Sequence, residues 1–275
     1  MARDNDPLKT IRHRRSVRTY DGKLVAQDLL DKVMSYASGI QSPFGVRVQF
    51  KLLDVERDHL SSPVITGART YLGAKVARQA GAEESFGYAF ENVVLFATEL
   101  GLGTVWLAAT IDRKAFEAAM DLAPDEVMPA VSPLGHASDK MSLREKAMRK
   151  ALKADDRLPF GELFFAGDFT HPLAPEAAGA WRPVLEAVRV APSATNKQPW
   201  RVVVTDGALH LYEQHTKGYA KDATGDIQKV DLGIAACHLE RAAAAEGIRG
   251  TFTRDANPQV NIPEGCEYLF SFVRE

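Results

Sequence analysis

The same order of predicted elements occurs twice along the chain, and this repetition limits the possible folds more than any other feature. In the first half the elements are a helix over 24–37, a turn over 38–43, a strand over 46–50 and a helix over 85–100. In the second half they are a helix over 175–190, a turn over 191–199, a strand over 200–205 and a helix over 229–246. We therefore predict an α+β fold with an internal duplication. Two unrelated α+β segments with a common pattern are the alternative.

Shorter patterns complete the prediction. Strands are predicted at 104–107, 128–134, 209–212, 249–254 and 267–273, with a helix at 111–120 and Asp112 as its N-cap. Gly101 and Gly247 are placed to end the two long helices. Residues 138–157 are rich in charges and predict a solvated, partly helical connector. The predicted halves are therefore residues 1–157 and 158–275.

The most distinctive turn lies in the second half. It reads Ala191-Pro192-Ser193-Ala194-Thr195-Asn196-Lys197-Gln198-Pro199-Trp200 and leads directly into the strand at 200–205. Proline fixes φ, and short polar side chains form hydrogen bonds to the nearby backbone, so such a stretch favours a turn. Pro199 lacks a ladder donor, which places it at the start of a strand or at an edge. An ordinary helix-to-strand loop is the simpler reading, and Trp200 is expected to pack in the core.

A basic cluster stands near the other end of the chain. Arg14, Arg15 and Arg18 surround Ser16, and on a helical turn Arg14 and Arg18 share one face. Guanidinium groups fit the acceptor oxygens of a phosphate monoester, and each shielded bond contributes about 1.5–3 kcal/mol. The alternative is a solvated basic surface.

Composition excludes several classes of function. Among 275 residues the net charge is −2, which gives no overall attraction to nucleic acid or anionic membranes, so an anion site requires locally concentrated arginines. The sequence has no run of 18 apolar residues and no signal-peptide core, so we expect a cytoplasmic protein. Cys237 and Cys266 lack metal-like spacing, and Cys237 is expected in the core. No metal site is predicted, and His136, His171, His210 and His238 are expected to be solvated or capping.

The two motifs together resemble the FMN-dependent nitroreductase family. Residues 14–20 are similar to that family's phosphate motif, and residues 191–200 are similar to its flavin-ring turn. Residues 100–106 resemble its helix-to-strand junction, and Arg157 resembles its late basic residue. The resemblance implies mostly antiparallel sheets flanked by helices. It also implies a set of FMN-binding residues, which comprises Arg14, Arg15, Ser16, Arg18, Arg157, Pro192, Ser193 and Asn196; Gln198 is expected to brace the turn.

The chain departs from the usual family pattern in a way that predicts a fused pseudo-dimer. The first half carries the arginine motif, but its turn at 38–44 lacks the asparagine and the Gln-Pro-Trp run. The second half carries the complete turn, but Glu162 stands where a basic motif is expected. One complete flavin site per chain is therefore predicted, as in the two-repeat branch of the family. Fusion makes either a monomer or a homodimer of pseudo-dimers compatible with the sequence.

The resemblance implies hydride transfer from NADH or NADPH through FMN to a small-molecule acceptor such as a nitroaromatic or a quinone. No protein group is predicted to act as nucleophile or strong base, so no catalytic residue is assigned. Two alternatives stay open. One is flavin fragmentation or dehalogenation in the same pocket, and the other is a flavin-binding or degenerate protein without reductase turnover. Neither nucleic acid nor membrane is expected as a partner.

Overall fold

Each half of the chain contributes one antiparallel sheet and one long helix to the structure, which is a computed structural model that describes residues 7–151 and 153–275. The elements of the first half are α1 Pro7–His13, α2 Gln27–Gly39, β1 Val48–Asp54, β2 Thr70–Ala77, α3 Ala82–Glu99, α4 Arg113–Ala119, β3 Glu126–Val127, β4 Val131–Leu134 and α5 Leu143–Ala151. In its sheet, β2 lies between β1 and the pair β3 and β4, and all the pairings are antiparallel.

The second half also contains one main sheet and one long helix. Its elements are α6 Phe160–Leu163, β5 Phe164–Ala166, a 3-10 helix Pro175–Trp181, α7 Arg182–Arg189, a 3-10 turn Ala194–Asn196, β6 Trp200–Thr205, β7 Ala208–Gln214, β8 Ala220–Lys221, β9 Gly225–Asp226, α8 Ile227–Ala245, β10 Gly250–Thr253 and β11 Cys266–Arg274. The five-stranded sheet has the order β10-β11-β7-β6-β5, and only β5 runs parallel to its neighbour. The predicted boundary at residue 157 lies between the two sheets.

Helices α3 and α8 pack against each other at the centre of the molecule, and most of their residues are buried, 14 of 18 in α3 and 14 of 19 in α8. A Cβ atom added to Gly87 would lie 2.0 Å from the carbonyl oxygen of Val230, and one added to Gly233 would lie 2.2 Å from that of Glu84. Each glycine therefore meets the residue three positions before the other glycine. This reciprocity is the mark of a twofold-related interface. The predicted α+β fold with mostly antiparallel sheets flanked by helices is confirmed, and the reciprocal contact agrees with the predicted internal duplication.

Most predicted helices and strands are present, and the exceptions have local causes. Residues 104–107 form only isolated bridges, because Thr104 pairs with Ser16 while Leu107 pairs with Val131. The strand predicted at 128–134 begins only at Val131, as β4, while the short strand β3 lies before the predicted range. The helix predicted at 175–190 begins as a 3-10 helix. Pairing partners that change within a few residues prevent a continuous ladder.

The core extends through both halves. Trp200 and Cys237 are fully buried, as predicted. No helix in the described ranges is both long enough and apolar enough to cross a lipid bilayer.

Candidate functional site

The arginine motif follows α1 rather than lying within a helix. The helix ends at His13, and Ser16 and Thr19 then form isolated bridges to Thr104 and Thr66. The expectation of a shared helical face is therefore wrong. In an extended segment, however, alternate residues also share a side. Arg18 is 9% exposed and the Arg14 side chain 8% exposed, whereas Arg15 is exposed.

Arg14 enters a buried polar network between the two halves. Its Nε lies 3.7 Å from Oε1 of Glu91 on α3. The same oxygen lies 3.0 Å from Nε2 of His238 on α8, and Oε2 accepts a hydrogen bond of 2.8 Å from Trp106 Nε1. Nδ1 of His238 faces the carbonyl oxygen of Ala187 at 2.9 Å. The expected solvated role for His238 is wrong, because its ring is fully buried, whereas its contact with the Ala187 carbonyl in the last turn of α7, which spans Arg182–Arg189, agrees with the expected capping role.

Several guanidinium nitrogens lie in or near this network. Nε of Arg14, Nε and Nη1 of Arg18 and Nε of Arg157 are buried without a hydrogen-bond partner in the part of the chain that the structure describes. Burial lowers the pKa of all three arginines. Arg149 of α5 lowers the pKa of Arg14 and Arg18 further, and Arg14 does the same to Arg157. Buried donors without acceptors, on side chains that repel one another, suit an anion.

Arg157 connects the arginine cluster to the turn of the second half. Its Nη1 donates to the carbonyl oxygens of Ala154 and Asp156, at 3.0 and 2.7 Å, and approaches Oδ1 of Asn196 at 3.5 Å. Nη2 donates to the carbonyl oxygen of Val190, where α7 ends. The connector and the turn therefore hold this guanidinium from both sides.

The turn itself has an unusual backbone. Thr195, Asn196 and Gln198 have φ values of 48°, 58° and 51°, and they are three of the six described non-glycine residues with positive φ. Such conformations cost about 1–3 kcal/mol each and collect at functional sites. A fourth residue of this kind, Lys153, offers its carbonyl oxygen to Nδ2 of Asn196 at 2.8 Å.

Side chains of the turn hold this shape. Ser193 Oγ accepts from the Gln198 amide at 2.8 Å. The Gln198 side chain accepts from the Leu158 amide at 3.0 Å and donates to the carbonyl oxygen of Asn196 at 3.3 Å, which agrees with the bracing role expected of it. Pro192 is half-buried. Asp231 of α8 accepts from the Ala194 amide with both carboxylate oxygens, at 3.0 and 3.1 Å.

A cleft of 640 Å³ lies between the connector and the turn, within the range of roughly 300–1,000 Å³ typical of small-molecule sites. Its walls include Arg157, Thr195, Asn196, Gln198 and Tyr219. The hydroxyl of Tyr219 makes a hydrogen bond to that of Thr195. The loop that contains Tyr219 therefore contributes to the wall of this cleft.

The structure joins most of the predicted residues and adds others. Arg14, Arg18, Arg157, Ser193 and Asn196 form one connected region. Ser16 is half-buried in its bridge to Thr104, and Arg15 points away to solvent. The residues that sequence analysis missed are Glu91, Arg149, Tyr219 and Asp231. Only Asp231 carried a signal, because it is a lone acidic residue in an apolar stretch of α8.

Asp231 gives a pH-dependence that can be measured. Burial raises the pKa of this carboxyl well above its ordinary value of 3.8. The folded chain then binds a proton that the unfolded chain has lost, so the free energy of unfolding falls as the pH rises above that value. Asp231→Asn keeps an acceptor for the Ala194 amide and removes the titration. We expect its stability, from urea unfolding, to decline less between pH 5 and 8 than that of the wild type.

Asp168 provides the matched control. Hydrogen bonds from Thr170 and His171 lower the pKa of this exposed carboxyl to about 2. Its contribution is present above its ordinary pKa and is lost only in acid, so Asp168→Asn should leave the decline between pH 5 and 8 unchanged. Equal declines in Asp231→Asn and the wild type would contradict the assignment.

Known proteins similar to this chain are described as nitroreductases. A family model described as "Putative TM nitroreductase" matches residues 6–243. The solved structure of a "putative nitroreductase" from Thermotoga maritima has the same fold, with 18% sequence identity and a TM-score of 0.64. That alignment covers 99% of this chain and 95% of the other.

Shorter solved structures match about half of the chain. A nitroreductase family protein from Clostridium difficile has 18% identity and a TM-score of 0.44, with coverage of 56% of this chain and 94% of that one. A nitroreductase with bound FMN from Bacteroides fragilis has 20% identity and a TM-score of 0.42, with coverage of 50% and 92%. No curated protein matches the chain.

Proposed function

The chain belongs to the TM nitroreductase family, and we propose that it is an FMN-dependent oxidoreductase that passes hydride from NADH or NADPH to a small electrophilic acceptor such as a nitroaromatic or a quinone. The observation that carries the proposal is the group of buried, unpartnered guanidinium nitrogens next to a strained turn and a cleft.

The arginines fit the phosphate end of FMN. Arg14, Arg18 and Arg157 present unpartnered N–H groups, and the nearby carboxylates Glu91 and Glu145 leave these donors unused. A phosphate monoester offers several acceptor oxygens and a charge that offsets the mutual repulsion of the arginines. We assign these three residues to the phosphate. Ser16 and Arg15 complete the motif, with Arg15 at its solvent side.

The turn and the cleft fit the rest of the cofactor. We assign Pro192, Ser193 and Asn196 to the wall that faces the ribityl chain and the ring. The amide of Asn196 is held by the carbonyl oxygens of Lys153 and Asp156, so it also keeps the connector, and with it Arg157, against the turn. Asp231 fixes the turn from behind through Ala194.

When bound, FMN would supply the redox chemistry, because its N5 accepts and returns hydride. The residues of the chain bind and orient the cofactor. The bonds of Glu91 to Trp106 and His238 fix its carboxylate next to Arg14, whose burial excludes water from the phosphate end. Hydrogen bonds to ionised groups are stronger in such a water-poor site.

The first half supports the proposal of one flavin per chain. Ser85 of α3, two residues before Gly87, accepts from the amide of Val46 at 3.3 Å. Asp231 stands at the equivalent position, two residues before Gly233. The turn that Ser85 holds, however, sends Phe44 into an aromatic cluster with Tyr88, Phe252 and Phe270. An apolar ring thus occupies this turn of the first half, where the turn of the second half has polar side chains.

The absorption spectrum of the purified chain tests the proposal. After reconstitution with excess FMN and removal of free flavin, we expect flavin absorbance at about one FMN per chain. Anaerobic NADH or NADPH should bleach it, and p-benzoquinone should restore it. Absence of bound flavin after reconstitution would overturn the proposal. Bound flavin that neither nucleotide bleaches would favour a flavin-binding protein without reductase turnover, and two flavins per chain would contradict the single site.

A further inference from the structure

A second polar cluster lies where β7 ends and α8 begins. Glu213 is on β7, His215 follows the strand, and Asp226 is the N-cap of α8. One ligand atom from each of these residues lies within 4.8 Å of the others. We propose that Glu213, His215 and Asp226 bind a divalent transition-metal ion such as Zn²⁺. The proposed flavin site does not include these residues.

Glu213 provides the main argument for a bound cation. Its side chain is fully buried, and neither carboxylate oxygen receives a hydrogen bond from any residue within 7–151 and 153–275. Nδ1 of His215 comes within 2.8 Å of Oε1, but without the geometry of a hydrogen bond. A buried carboxylate without a partner is costly, and a metal ion is one of the few groups that compensate it.

The imidazole of His215 is oriented as in many metal sites. Its Nε2 lies 3.2 Å from Oε2 of Glu267 on β11, while Nδ1 faces Glu213. Metal-binding histidines usually donate their other ring N–H to a carboxylate, which fixes the tautomer and makes the free nitrogen a better ligand. Glu267 is the carboxylate within reach of that nitrogen, at 3.2 Å. Asp226 uses Oδ1 to cap α8 through the Gln228 amide.

The charge of the cluster also favours a cation. Glu83 adds a further carboxylate, since its Oε1 accepts from the Asp226 amide at 3.4 Å, and Lys229 pairs with Glu267 at 3.4 Å. The acidic groups Glu83, Glu213, Asp226 and Glu267 outnumber the basic group Lys229.

The donor types select the class of metal. Carboxylates alone suit Mg²⁺ or Ca²⁺, whereas imidazole together with carboxylates suits Zn²⁺ and its neighbours. Three protein ligands leave a coordination position open for water. No sequence pattern predicts this site, because His215 has no histidine or cysteine partner at the usual spacings.

Calorimetric titration of the chelator-treated full chain with Zn²⁺ tests the proposal. The wild type should bind one ion, with proton release that depends on the buffer, and should melt at a higher temperature in its presence. His215→Gln should bind Zn²⁺ at least about tenfold more weakly than the wild type. Glu267→Gln should weaken binding by roughly 10–100-fold. His215 is exposed, so its replacement leaves the core intact.

The control is His171→Gln, because His171 is an exposed histidine 2.8 Å from the single carboxylate of Asp168. This variant should bind Zn²⁺ as the wild type does. The proposal is overturned if the wild type binds no Zn²⁺ at 100 micromolar, a concentration of about the order at which weak sites fill. It is also overturned if His215→Gln binds with unchanged affinity. Both results are independent of flavin content, so they leave the proposed function untouched.

Discussion

Gly87→Ala is expected to lower the free energy of unfolding by about 3 kcal/mol or more, or to prevent folding altogether. The added Cβ would lie 2.0 Å from the carbonyl oxygen of Val230, 2.9 Å from its carbonyl carbon and 3.0 Å from the amide nitrogen of Ile234. These are backbone atoms of a buried helix, so no side-chain rotation relieves the clash. Helices α3 and α8 would have to separate, which opens the interface between the halves.

The gain in helix propensity works in the opposite direction and is too small to compensate. Alanine is better than glycine in a helix by roughly 1 kcal/mol. Gly233→Ala should cost a similar amount as Gly87→Ala, because its Cβ would lie 2.2 Å from the carbonyl oxygen of Glu84. The control is Gly39→Ala at the end of α2, where nothing lies within 4 Å of the added atom. Urea unfolding followed by circular dichroism measures all three variants.

Equal unfolding midpoints for Gly87→Ala, Gly39→Ala and the wild type would show that α3 and α8 are not in backbone contact. A large loss for Gly87→Ala alone, with Gly233→Ala unchanged, would contradict the reciprocal geometry that defines the pseudo-twofold relation.

These glycines also show what the sequence predicts and what it leaves out. The repeated element order predicts two similar halves, because hydrophobic periodicity is a local property of each helix and strand. The close approach of α3 and α8 has no such local signal. Gly87 and Gly233 are isolated glycines within helical patterns, and only the partner backbone shows why no side chain fits there.

The central strand of the first sheet was missed for a related reason. Strand β2 is buried along almost its whole length, so it lacks the alternation that identifies a strand with one solvated face. It also contains Gly73, where an added Cβ would lie 2.4 Å from Sδ of Met120. A short apolar run with a glycine predicts neither helix nor strand by periodicity alone.

The candidate site likewise contains residues that the sequence predicts and residues that only the structure reveals. The turn and the arginine motif are continuous in sequence, so their residues could be named in advance. Arg149, Asp231 and Tyr219 reach the site from three separate elements, and their roles depend on tertiary contacts. Even within the motif, the sequence did not distinguish Arg15 from its neighbours, since burial decides which guanidinium faces the interior.

Arg18→Gln is expected to weaken FMN binding by about 10- to 150-fold, which corresponds to the loss of one charge-assisted hydrogen bond of roughly 1.5–3 kcal/mol. The Nε and Nη1 of Arg18 are buried donors without acceptors, and Arg149 repels its charge. Glutamine keeps much of the length but removes the charge. Glutamate at this position would instead place a second carboxylate near the buried Glu145.

Arg15→Gln is the matched control, because it makes the same chemical change three residues earlier on an exposed side chain. We expect a change in FMN affinity of less than about threefold, as for exposed ionic contacts. Quenching of flavin fluorescence gives the dissociation constants. Equal losses in the two variants would indicate a diffuse electrostatic effect and would contradict a phosphate site at Arg18.

Riboflavin separates the phosphate contact from the rest of the site, because it carries the same ring and ribityl chain without the phosphate. The Arg18→Gln variant should bind riboflavin as the wild type does, so its entire defect should appear with FMN. Stability should not fall with affinity, since Nε and Nη1 of Arg18 have no acceptor among the described residues and burial of such donors is costly. A variant that lost riboflavin and FMN equally, or that unfolded more easily, would show that Arg18 supports the fold and does not hold the phosphate.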